Sequence, residues 1–128
     1  MEITLKEYEN ELNVLKENKQ VCSENSEILE FEMMFVDSLI KENKGNEELL
    51  RLKTNVNDRY YLNDEMISFL NFAIEHLKTT KEIDEVYTSY LDKINGLTRH
   101  IVKISLDKDF VDLRNKYLPN VAENIKSL

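Results

Sequence analysis

The sequence predicts an all-α protein, an elongated antiparallel bundle of about four to five helices in one domain covering residues 1–128. Three observations predict it. Only 2 Gly and 1 Pro interrupt the chain, too few for the turns of a β fold, and the runs between them favour helix through Glu, Lys, Leu and Ile. Apolar residues recur at spacings of three and four in every long segment. The stretch Met66 to Leu77, MISFLNFAIEHL, is apolar over most of a helix circumference, with Ser68, Asn71 and Glu75 on one narrow polar stripe. Such a helix must be covered by at least two neighbours, so it is the inner member of the bundle.

Taken in order, Thr4-Leu5-Lys6-Glu7 reads as a capping box that opens the first helix. Leu5, Tyr8, Leu12 and Leu15 follow as a narrow seam of the coiled-coil kind. Cys22-Ser23-Glu24-Asn25-Ser26 is polar enough to break the helix, because Ser and Asn compete for backbone hydrogen bonds; a break is expected there. Ile28 to Ile40 carries a wide apolar face and reads as a second core helix. Lys44-Gly45-Asn46 ends it, with Gly45 suited to a left-handed residue and Asn46 to capping the next helix.

Leu49, Leu52, Val56 and Tyr60 stay in phase with Asn63, Ile67, Leu70, Ile74 and Leu77. The phase predicts one long central helix over about 47–78, bent if anywhere near Asn63 and ~48 Å long at ~1.5 Å per residue. Thr79 and Glu82 have capping-box spacing for the following helix. Ile83, Tyr87, Tyr90, Ile94, Leu97, Ile101 and Ile104 keep heptad spacing through Gly96. Asp107 caps a last helix whose face is Phe110, Leu113, Tyr117, Val121 and Ile125, interrupted at Pro119. Phe69, Leu70, Ile74, Phe35, Leu39, Leu97 and Ile101 are expected to be buried together.

Charge narrows the function. The net charge is −8, and residues 1–45 hold eleven acidic against five basic side chains. That excludes a nucleic-acid partner, whose phosphates need clustered Lys and Arg. It also disfavours an anionic membrane surface. The longest apolar window, Met66 to Ile74, is about half of the ~20 residues a membrane span needs. Met1 to Asn10 lacks the apolar run of a signal peptide. The single cysteine, Cys22, cannot close a disulfide within the chain, which fits a cytoplasmic protein. A composition rich in Lys, Asn and Glu fits a small protein of AT-rich bacteria or their phages.

No motif carries catalysis, a cofactor or a metal. His76 and His100 follow Ala73 and Leu97 at three residues, so the Glu-x-x-His pair of helical di-iron sites is absent. Cys22 reads as a small packing residue, and the paired carboxylates read as solvated helix charge. The candidates left are for protein binding. Arg59, Tyr60 and Tyr61 bring together residue types enriched at interface centres. Glu7, Glu11, Glu17, Glu24 and Glu27 form an acidic strip able to meet a basic protein. The sequence therefore predicts a non-enzymatic helical module that binds another protein: an inhibitor, an immunity or antitoxin-type factor, or an adaptor. The alternative is a structural subunit that self-associates through its seams. A homodimer is expected, with the Leu5–Leu15 seam as its first contributor.

Overall fold

Thr4 starts the first helix as its spacing predicts. Its hydroxyl accepts from the Glu7 N–H at 3.1 Å, and the Glu7 carboxylate accepts from the Thr4 N–H at 3.0 Å. The structure, a computed structural model, describes residues 3–118. Among them lie four helices and no β-strand: α1 (Leu5–Glu42), α2 (Glu47–Thr80), α3 (Glu85–Leu106) and α4 (Lys108–Tyr117). Pro119, Val121 and Ile125 lie outside the described residues.

Cross-helix contacts fix the directions. Cys22 meets Met66, Glu32 meets Arg59 and Asp37 meets Lys53, so α1 and α2 run antiparallel. Thr98 meets Met66 and Asn55 meets Ile104, so α3 returns antiparallel to α2. α4 continues that descent: Lys116 and Tyr117 reach Glu48, and Asn46 donates to the Tyr117 hydroxyl at 3.4 Å. The result is a three-layer bundle whose third layer is interrupted at Asp107. With 34 residues, α2 is a central rod of ~51 Å at ~1.5 Å per residue.

The expected break at residues 22–26 does not occur, and α1 is continuous. Tertiary contacts outweigh local propensity here. Cys22 and Asn25 point inward and are buried. Asn63 of α2 donates to the Cys22 carbonyl at 2.8 Å, and the Cys22 thiol lies 3.7 Å from the Met66 sulfur. The same bond explains why α2 runs straight past Asn63. That side chain is spent on α1 and does not cap a new helix.

The Thr79–Glu82 capping box is also absent. α2 runs on to Thr80 and stops at Lys81, which takes the left-handed conformation at φ 54°. Asp84 caps α3 by accepting from the Tyr87 N–H at 2.8 Å. The Thr80 hydroxyl donates back to the His76 carbonyl of α2 at 2.9 Å and accepts from the Glu82 N–H at 3.2 Å. Gly45, Asn46 and Asp107 take the roles their sequence positions predict: Gly45 has φ +81°, Asn46 caps α2 and Asp107 caps α4.

The core forms two clusters along the rod. One joins Leu15, Cys22, Met66, Leu70, Ala73, Ile74, Leu77, Tyr87 and Ile94, with Phe69, Leu97 and Ile101 packed against it. The other joins Leu29, Val36, Leu52, Val56, Leu113 and Leu118. The single buried group expected from sequence is therefore corrected: Leu70 and Ile74 are buried, Phe69, Leu97 and Ile101 are only half-buried against them, Phe35 is exposed, and Leu39 is half-buried and outside the first cluster. The Leu5–Leu15 seam is largely covered by its own chain: Leu15 is buried and Tyr8 and Leu12 pack on the first cluster, leaving Leu5 exposed.

Gly96 lies inside α3, and a Cβ built there meets nothing within 4 Å. No close helix approach requires it. Gly96→Ala is thus expected to stabilise the protein by about 1 kcal/mol through helix propensity. Thermal unfolding followed by circular dichroism checks this, and a lower midpoint for the variant would contradict it.

Candidate functional site

Arg59 is the first candidate to place. Its side chain is buried rather than offered to a partner. Its Nη2 donates to Glu32 Oε1 at 3.0 Å and its Nε to Asn55 Oδ1 at 2.9 Å. Arg114 of α4 donates to the same Asn55 oxygen at 3.2 Å and also to the Ser105 carbonyl. The Asn55 amide donates to the Ile104 carbonyl at 3.1 Å. Ile104 and Ser105 belong to the last turn of α3, whose carbonyls have no partner within the helix. Asn55 and Arg114 supply those partners, and the Arg114 guanidinium sits at the negative end of α3. Burial, with the nearby Arg59 charge, pushes Arg114 down to about 10, while Glu32 acts in the opposite direction. The network joins all four helices, and its Glu32, Asn55, Arg59 and Arg114 are buried.

The other two members of that trio stay at the surface. Tyr60 is half-buried and donates to Glu30 at 3.0 Å, a bond that raises the Tyr60 pKa. Tyr61 is exposed and sits edge-on to Tyr60 at 5.8 Å.

The acidic candidates divide in the same way. Glu7 is used in the Thr4 cap. Glu11 accepts from the Tyr87 hydroxyl at 2.8 Å and ties α1 to α3. Burial first, and then Glu11, push the Tyr87 hydroxyl up. Glu24 accepts from Gln20 at 3.5 Å. Three of the five, Glu7, Glu17 and Glu27, are exposed, and Glu11 and Glu24 are half-buried.

Two further places gather reactive side chains. His76 Nε2 lies 2.8 Å from both oxygens of Asp84, and the ring meets Tyr90 edge-on at 6.1 Å. The Tyr87 N–H, then His76, hold the Asp84 carboxyl below its ordinary value. Asp84 is thereby committed to capping α3. Burial pushes the Cys22 thiol up to about 11, which keeps it a protonated packing group and a poor nucleophile. Among the described residues, no group of three or more His, Cys, Asp or Glu could hold a metal ion. A cavity of about 360 Å³ between α1 and α2 is lined by Lys16, Lys19 and Lys78 together with Glu75 and Ile74. It is open to solvent, and no pair of groups in it has the hydrogen-bonded geometry of a nucleophile and base.

The feature that sequence reasoning missed lies on α1. Phe31, Met34 and Phe35 are 58%, 69% and 42% exposed. Their spacings of three and one place them on one outward face, opposite Leu29 and Val36. Ile28 and Leu39, both half-buried, extend that face along the helix. The sequence signal was present: nine apolar residues between Ile28 and Ile40 are more than one buried face requires. Sequence alone does not separate the two readings, because an apolar surplus can mean a second neighbour within the chain or a partner outside it.

No protein-family model matches the chain, and no curated protein or solved structure matches it either. No helix among the described residues is long and apolar enough to cross a membrane.

Proposed function

We propose that this chain is a non-enzymatic helical module that acts by binding protein through the outward face of α1. The observation that carries the reading is the exposure of Phe31, Met34 and Phe35 on consecutive turns of one helix. Burying a large apolar side chain is worth about 1.5–3 kcal/mol, so three left in water at one place favour a partner. Contiguous apolar surface of this kind marks interaction sites on otherwise polar proteins. Tyr61 and the exposed acids Glu17 and Glu27 are secondary contact points for a partner with basic side chains. An inhibitor, an immunity or antitoxin-type factor, or an adaptor would use such a face on a rigid bundle. The second reading, a self-associating subunit, is favoured by the order of charges around the same face.

The test is a pair of affinity captures from native lysate, one with the unaltered chain and one with Phe31→Asp/Met34→Asp. Both positions are exposed, so the variant should keep its helical circular dichroism. The expected result is a protein retained by the unaltered chain and lost by the variant, whether a different protein or further copies of this one. Retention of the same protein by both would place binding elsewhere.

A further inference from the structure

We infer that the partner seated on this face is a second copy of the chain, its α1 helix running antiparallel to the first about a two-fold axis at Met34. The inference rests on the protein-binding reading above and names the partner. Met34 is the most exposed residue of the face and stands midway between Glu27 and Lys41, seven residues from each. Seven residues are close to two turns, so all three side chains lie along one flank of α1. A two-fold axis perpendicular to an antiparallel helix pair sets each flank against the same flank of the other copy. It also sets residues equally far above and below the axis opposite one another. Glu27 therefore meets the partner's Lys41 on both sides of the axis. Phe31 and Phe35 fill the space between, and each copy covers the apolar surface of the other.

The remaining charges agree with this direction. Glu24 and Glu27 lie at the N-terminal end of the face. Lys41 and Lys44 outnumber Glu42 at the other end, beside the helix C-terminus. Antiparallel pairing brings the acidic end onto the basic one, whereas parallel pairing stacks Glu27 on Glu27. The nearby acids Glu30 and Asp37 are already engaged, Glu30 with Tyr60 and Asp37 with Lys53. Glu27 and Lys41 take part in no ion pair among the described residues. A symmetric arrangement of this kind is the commonest way for one patch to be its own complement.

Sedimentation equilibrium of the full chain, from low to high micromolar concentration, tests the inference. The unaltered chain should reach twice its mass of 15.2 kDa. Phe31→Asp/Met34→Asp should remain monomeric with its helical spectrum intact. Lys41→Glu should weaken association by about tenfold, since it turns two exposed attractive pairs into repulsive ones. The exchanged variant Glu27→Lys/Lys41→Glu should recover most of that loss. A monomer throughout overturns the inference, as does association that ignores residues 31 and 34 or an exchange that restores nothing. If the chain is monomeric but captures a different protein through residues 31 and 34, the dimer falls and the protein-binding reading stands. If it neither associates nor captures anything, both fall.

Discussion

Arg59→Ala is expected to destabilise the protein by about 3–5 kcal/mol, the cost of removing one partner from a buried ion pair. Glu32 is 0% exposed and Arg59 3%. The substitution removes the only guanidinium in ion-pair contact with the buried Glu32 carboxylate among the described residues, leaving it the unbonded charge of Arg114, and removes one of the two guanidinium donors to Asn55 Oδ1. Glu32 Oε2 already has no partner among the described residues, so little reserve exists to absorb the loss. Replacing both members by apolar residues should cost less than Arg59→Ala alone, because no carboxylate is then left buried without its ion-pair partner. Urea unfolding of the two single variants and the double variant measures this as a cycle. A loss below about 1 kcal/mol for Arg59→Ala would mean that water reaches the pair and that it behaves as a surface bridge.

That network also shows where sequence reading stops. The helices themselves were legible. Apolar spacing located the long central helix, and Thr4, Asn46 and Asp107 were identified as caps from short-range chemistry that needs only neighbouring residues. The direction a charged side chain takes is a different matter. Glu32 and Arg59 lie 27 residues apart, and nothing local separates them from the solvated Glu and Arg around them. Arg59 beside two tyrosines has the composition of an interface centre, yet its neighbours in space are Glu32 and Asn55. Likewise Asn25 and Cys22 look like a helix break until α2 covers them. Thr79 and Glu82 have the right spacing for a cap, but α2 extends over Thr79 and Asp84 satisfies the next helix instead. Phe35 differs again: its apolar character is plain in the sequence, but its exposure depends on the number of helices that surround α1.

Leu70→Ala is expected to cost about 2–5 kcal/mol, toward the upper end of that range. Leu70 is fully buried on α2, where side chains from α1 and α3 meet: Leu15 and Cys22 from one side, Tyr87 and Ile94 from the other. Three rigid helices cannot all close on a missing isobutyl group, so much of the cavity remains and its cost adds to the lost transfer energy. Phe72, two residues on, supplies the control. It is half-exposed and touches Phe69 and Tyr90 with ring centroids 5.8 Å away in each case. Those ring contacts are worth about 0.5–1.5 kcal/mol each beyond area burial, and a half-exposed ring leaves no closed cavity. Phe72→Ala should therefore cost clearly less than Leu70→Ala despite removing more atoms. Both are measured by denaturant unfolding at low chain concentration, so that association does not add to apparent stability. If Leu70→Ala costs less than Phe72→Ala, α2 is not the inner helix and the bundle must be organised around another element.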